Sequence, residues 1–164
     1  MFKIGDYVIY KREVCKISDI KNNKFTNLEC YVLNPISDDS LKINVPINNK
    51  EVLRSIMTKE EINKLIQEIP KIEPIKIDSH SIDHVYKDLF HSKKHEDLIK
   101  IIKTTYLKNE ERTKENRSIG QKDKEYFDKA EKYLYNEIAV ALNISFDDAK
   151  EYVIKKVNEN EKNS

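Results

Sequence analysis

The sequence predicts an α+β chain in which a small antiparallel β-barrel, or strongly bent sheet, precedes an all-helical bundle. Three observations carry this. Apolar residues alternate through the first fifty positions, the period changes to helical spacing after Thr58, and Pro70 and Pro74 interrupt the helical pattern between the two halves.

The segments Lys3–Tyr10, Glu13–Ile17, Cys30–Leu33 and Leu41–Val45 are rich in β-branched and aromatic residues, and polar, turn-like stretches separate them. Their spacing fits five short strands joined as hairpins, with no helix before residue 55. Thr58-Lys-Glu-Glu61 is a capping box leading into Ile62, Leu65, Ile66 and Ile69, a helix expected to close the first domain and to stop at Pro70. Residues 71–77 then form a stiff linker, so the expected division is 1–70, 71–77 and 78–164.

Beyond Ser79 the stripes are helical. They run through Ile82, Val85, Tyr86 and Leu89, then through Leu98, Ile101, Ile102, Thr105 and Tyr106. The longest segment starts at Ser118, where Ser-x-x-Gln121 is placed to cap the first turn, and carries Tyr126, Phe127, Ala130, Tyr133, Leu134, Ile138 and Leu142. A last helix starts at Ser145 and buries Ala149, Tyr152, Val153 and Val157, with the tail from Asn158 expected to fray. No stripe closes a core alone, so the helices must pack on one another.

Composition narrows the chemistry. Ile, Leu, Val and Phe make up about 28% of the 164 residues, above the roughly 20% below which a charged chain stays unfolded. No apolar run approaches the roughly 18 residues needed to cross a bilayer, and the amino terminus has no apolar h-region, so a soluble cytoplasmic protein with reduced thiols is expected. Two glycines leave no phosphate-cradling loop, and neither Gly-x-Ser-x-Gly nor His-Glu-x-x-His occurs. Catalysis has no visible home. Cys15 and Cys30 lack Cys-x-x-Cys pairing and read as small hydrophobes in a sheet. His80, His84, His91 and His95 would share one face of a continuous helix, the arrangement a metal uses. Ser92-Lys93-Lys94 reads as a turn that divides them, and a solvated face is the default.

The near balance of 30 basic and 29 acidic residues hides local structure. Lys114, Arg117, Lys122, Lys124, Lys129 and Lys132 crowd the start of the long helix, where free N–H groups over Ser118 to Gln121 favour a phosphate. Asp123, Glu125, Asp128 and Glu131 alternate with those lysines, so an ordinary charged helix face stays open as the alternative.

The runs Phe2-Lys-Ile-Gly-Asp-Tyr-Val-Ile-Tyr10, Val14-Cys-Lys-Ile17, Tyr31-Val-Leu33 and Leu41-Lys-Ile-Asn-Val-Pro46, with Ser118-Ile-Gly-Gln-Lys122, Lys129-Ala130, Leu134 and Glu137-Ile-Ala139, resemble the CarD (CdnL) family of bacterial RNA-polymerase-binding transcription regulators. The resemblance implies a Tudor-like barrel that docks on the polymerase β subunit by adding a strand to its sheet, and a helical domain that touches promoter DNA at the upstream edge of the bubble. The expected docking residues are Lys42 and Asn44, on the polar face of the Leu41–Pro46 edge, and the expected DNA contacts are Arg117, Ser118, Lys122, Lys124 and Lys129.

Two departures stand out. Lys11–Lys16 is a shorter turn than the family's Pro-x-His-Gly-Val-Gly, and no tryptophan exists to serve as the family's minor-groove wedge. Such a wedge is worth about 1–3 kcal/mol by analogy with base stacking, so bubble stabilisation is either weaker here or served by His80, His84 or Tyr86. The expectation is a non-enzymatic regulator, monomeric in solution, without cofactor or metal, that modulates open-complex stability. The alternatives are a polymerase-binding scaffold or blocker with little DNA contact and, below it, a metal-dependent enzyme built on the four histidines.

Overall fold

The computed structural model describes residues 1–49, 51–76 and 82–163, which divide into two compact units, Met1–Ile56 and Met57–Ser164. The first unit is one antiparallel sheet of β1 (Tyr7–Tyr10), β2 (Glu13–Asn22), β3 (Glu29–Pro35), β4 (Ile43–Pro46) and β5 (Leu53–Ser55), in the order β4-β3-β2-β1-β5. The expected barrel is not closed: β4 and β5 are the two ends of an open sheet.

Local chemistry explains the strand limits. β1 starts at Tyr7 rather than Lys3 because Gly5 takes φ 96°, and the Asp6 N–H donates to the Lys3 carbonyl in a tight turn. Tyr10 pairs with Glu13 across a two-residue turn in which Lys11 and Arg12 take φ 47° and 73°, so the shortened turn uses left-handed backbone without glycine. In β2 the register shifts between Ile17 and Asp19. Ser18 is thus the extra residue of a bulge, and its hydroxyl donates to the Val32 carbonyl at 3.3 Å. That bulge lets Ile17 and Ile20, three positions apart, serve the same apolar cluster as Val8, Cys15, Tyr31, Leu33, Val45 and Leu53. Burial, followed by the Glu13 charge, pushes the Cys15 thiol up to about 12, as suits a core residue.

The second unit contains α1 (Lys59–Glu68), α2 (Ile82–His91), α3 (His95–Lys114), α4 (Gln121–Leu142) and α5 (Phe146–Lys162). Thr58 and Glu61 form the expected capping box, and Ser145 accepts from the Asp148 N–H at 3.0 Å to cap α5. α5 continues to Lys162 instead of fraying at Asn158, because Lys and Glu favour the helix and a lysine sits in its last turn.

The expected domain limit at residue 70 is redrawn by α1. Its stripe of Ile62, Leu65 and Ile66 joins Tyr86, Leu98, Ile101, Ala130, Leu134, Ile138, Ala149 and Val153 in a single core of the second unit. Asn63 also accepts from the Tyr152 hydroxyl of α5 at 2.7 Å. The expected linker is likewise tied down as far as it is described: Lys103 of α3 donates to the carbonyls of Ile69 and Ile72, and the Ile75 N–H donates to Thr104 Oγ1 at 2.8 Å. Burial holds the Lys103 ammonium below its usual range. Tyr106, expected on the buried stripe of α3, is exposed, and Ile99 is buried in the same core.

Glu137 of α4 is 2% exposed, yet both carboxylate oxygens are engaged. Oε2 accepts from the Met57 N–H at 2.9 Å, and Oε1 lies 2.9 Å from His95 Nε2 at the start of α3. One buried side chain thus joins the segment before α1 to α3 and α4. Glu137→Ala leaves the Met57 N–H and His95 without this buried carboxylate, and urea denaturation followed by circular dichroism should show a loss of about 3 kcal/mol. An unchanged midpoint would contradict this role.

Candidate functional site

The first candidate surface is the β4 edge. Cys30 pairs with Pro46, Tyr31 with Val45, Val32 with Asn44 and Leu33 with Ile43. The Ile47 N–H donates to the Glu29 carbonyl at 3.0 Å, and antiparallel alternation therefore turns the backbone groups of Ile43, Val45 and Ile47 toward β3. The N–H and C=O of Asn44 point away from the sheet, whereas Pro46 has no N–H to offer and its carbonyl already accepts from the Asn49 N–H at 3.1 Å.

Side chains follow the same alternation. Asn44 and Lys42 are exposed, Val45 is buried and Ile43 is half-buried. Leu41, expected to face inward, is exposed and precedes the strand. Its carbonyl accepts from Asn34 Nδ2 at 3.2 Å, and Lys42 too lies just outside β4. Strand alternation was thus a sound guide within β4 and failed at the turn before it.

The second candidate surface is the start of α4. Helix α4 begins at Gln121 with Gly120 as its N-cap, and no side chain caps it, so Ser118 is not the cap that the sequence suggested. The free first-turn N–H groups belong to Gln121, Lys122 and Asp123, since the Lys124 N–H already donates to the Gly120 carbonyl at 3.0 Å. Gly120 permits a close approach. A Cβ there would lie 3.1 Å from Asp123 Oδ2 and 3.2 Å from Arg112 Nη1. Arg112 Nη1 donates in turn to the Ser118 carbonyl at 3.4 Å, and Ser118 itself is exposed.

Of the expected DNA contacts, Lys122 and Lys129 line one groove while Lys124 lies on another face of α4, and three of the basic residues have carboxylate neighbours. Arg117 lies 3.2 Å from Glu115, Lys122 3.4 Å from Asp83 and Lys124 3.9 Å from Asp128. Lys129 sits over the Phe90 ring at 5.8 Å. Lys122 is 70% exposed, so its pairing is a surface contact of small energy and not an inward anchor.

Asp83, at the start of α2, is the residue that sequence reasoning missed. It accepts from the Tyr126 hydroxyl at 2.9 Å and lies 3.4 Å from both Lys87 and Lys122. The Tyr126 hydrogen bond, with Lys122 and Lys87, holds its carboxyl below the usual carboxylate range against a smaller opposing effect of desolvation. Burial first, then Asp83, pushes the Tyr126 phenol up to about 12. Asp83, Lys122, Tyr126, Asp128, Lys129 and Lys132 line an open groove of about 530 Å³, with Phe90 stacked on Tyr126 at 5.5 Å. Nothing in local spacing pairs residues 39 apart.

The three wedge candidates separate. His80 lies outside the described residues. His84 is exposed on α2, with Nε2 3.9 Å from Asp88. Tyr86 is withdrawn from that role: it is fully buried, its hydroxyl donates to Asp123 at 3.1 Å, and its ring packs 4.7 Å from that of Tyr126. Burial and then Asp123 raise its phenol pKa. The expected turn at Ser92–Lys94 does separate His91 from His95, and His95 turns to Glu137. Among the described residues no group of three His, Cys, Asp or Glu is placed to hold a metal, and no helix is long and apolar enough to cross a membrane.

The Tyr126–Asp83 contact is open to titration. Tyr126→Phe deletes the hydrogen bond that contributes most to the depressed carboxyl pKa, so carbon-detected NMR should show Asp83 titrating at higher pH than in the wild type. An unmoved midpoint would show that the lysines alone set it.

No curated protein matches the chain. Residues 2–57 match the family model of the CarD-like/TRCF RID domain, a span that coincides with the five-stranded unit and its exposed β4 edge. The first unit is thus similar to a CarD-like/TRCF RID domain, a transcription-related, RNA-polymerase-interacting type of domain, and residues 58–164 lie outside the match.

Proposed function

We propose that this chain is a non-enzymatic transcription regulator that docks on the β subunit of RNA polymerase through the β4 edge and brings its helical unit to promoter DNA at the upstream side of the bubble. The observation that carries the reading is a strand edge unpaired among the described residues, with Asn44 presenting both a backbone donor and an acceptor outward, inside the segment that matches the CarD-like/TRCF RID domain. Strand addition draws affinity from such main-chain groups and selects its partner through alternate side chains, here Asn44 with Lys42 beside it.

The DNA contact is assigned to Arg117, Ser118, Lys122, Lys124 and Lys129, with His84 the one wedge candidate both described and exposed. Nearby carboxylates weaken this patch, and its affinity falls steeply with salt. Docking offsets that weakness by raising the local concentration of the helical unit to about millimolar. The regulator shifts the closed-to-open equilibrium only as far as it binds the two states unequally.

A second reading, a polymerase-bound scaffold or blocker with little DNA contact, is favoured by the acidic neighbours of Arg117, Lys122 and Lys124. One experiment separates them. In transcription with purified polymerase, Asn44→Pro should abolish both binding and the effect on open-complex lifetime, since it deletes the outward N–H without touching a ladder bond. Lys122→Glu should keep polymerase binding and change the lifetime at least threefold. An unchanged lifetime favours the scaffold, and wild-type protein that does not bind polymerase contradicts both readings.

A further inference from the structure

The β2–β3 hairpin carries an aromatic side chain that the sheet does not use. Phe25 is 99% exposed, whereas Tyr31 is buried in the core cluster of the sheet and Phe2 and Tyr10 pack against that cluster. The tip that holds it is ordered by its own polar groups. The Asn23 N–H donates to the Leu28 carbonyl and the Asn27 N–H to the Asn23 carbonyl, both at 2.8 Å. Asn23 Oδ1 accepts from the Phe25 N–H at 2.9 Å, and Asn27 takes φ 57° to turn the chain back. The ring is therefore presented on a preformed turn, which lowers the entropy lost on docking.

Two features define what it meets. Residues 21–28 contain Lys21 and Lys24 and no carboxylate, and Leu28 is exposed as well, so the tip is an apolar knob with a positive collar. The knob also continues the β4 edge: Glu29, the first residue of β3 after the tip, accepts from the Ile47 N–H that directly follows β4.

We propose that Phe25 is the anchor of the polymerase interface, inserting into an apolar socket rimmed by acidic side chains on the same β-subunit surface that receives the β4 edge. This rests on the docking reading above. Buried aromatic anchors dominate interface energetics, whereas strand pairing alone discriminates poorly between partners. The knob therefore supplies the choice of partner that an edge built from backbone groups lacks.

The test uses the full chain and purified RNA polymerase. Phe25→Ala should weaken binding at least tenfold with an unchanged thermal melt, and Phe25→Leu should recover most of the loss. Lys24→Glu should slow association and flatten its dependence on salt. Phe25→Ala that binds like wild type, while Asn44→Pro does not bind, overturns the anchor and leaves the docking edge standing. Wild type that fails to bind overturns both. Self-association of the wild-type chain that Phe25→Ala abolishes would assign the knob to a second copy and overturn the proposal.

Discussion

Strand β4 can hydrogen-bond on two sides and, among the described residues, has a partner strand on one. Its inward groups at Ile43 and Val45 are committed to β3, while the outward pair at Asn44 is left to solvent. Free edges invite unwanted pairing, and this one is kept short and ends at Pro46, which offers no donor. The register follows from the sheet: the bulge at Ser18 sets which β2 residues face the cluster, β3 follows β2, and β4 follows β3. The outward direction of Asn44 is thus a consequence of packing elsewhere in the unit.

The helical unit is organised by two buried carboxylates with different consequences. Glu137 ties the segment before α1 to α3 and α4, and this explains why a helix that reads like the end of the first domain belongs to the second. Asp123 takes the Tyr86 hydroxyl and lies 3.5 Å from Lys108, so a negative group sits within the first turn of α4, beside the lysines proposed to meet DNA. The positive potential there is modest by construction. A contact of that strength matters only when something else holds the unit near its target, and the docking edge is assigned that task.

Much of the fold was legible because its signals are local. Alternation located the strands, Thr58-x-x-Glu61 and Ser145 marked two helix starts, and Ser92–Lys94 marked the break that divides the histidines. What escaped was long-range. The partner of α1 depends on Asn63 meeting Tyr152 and on Glu137 meeting Met57, contacts that periodicity does not encode. The start of α4 was misplaced because Ser118 has the right chemistry for a cap, whereas Gly120 is needed where Arg112 and Asp123 approach. Tyr86 stood both on an apolar stripe and among the wedge candidates, and burial against Tyr126 keeps it to the first role. The exposure of Asn44 followed from strand parity alone; the contacts of Asp83 and the exposure of Phe25 had no signal of that kind.

Backbone pairing at β4 is tested most directly by amide hydrogen exchange read residue by residue, with and without bound RNA polymerase. The Asn44 amide, pointing outward and unpartnered in the sheet, should exchange quickly in the free chain and become protected on binding, while that of Val45, already bonded to β3, changes little. Tight binding that leaves Asn44 exchanging as fast as before would contradict strand addition.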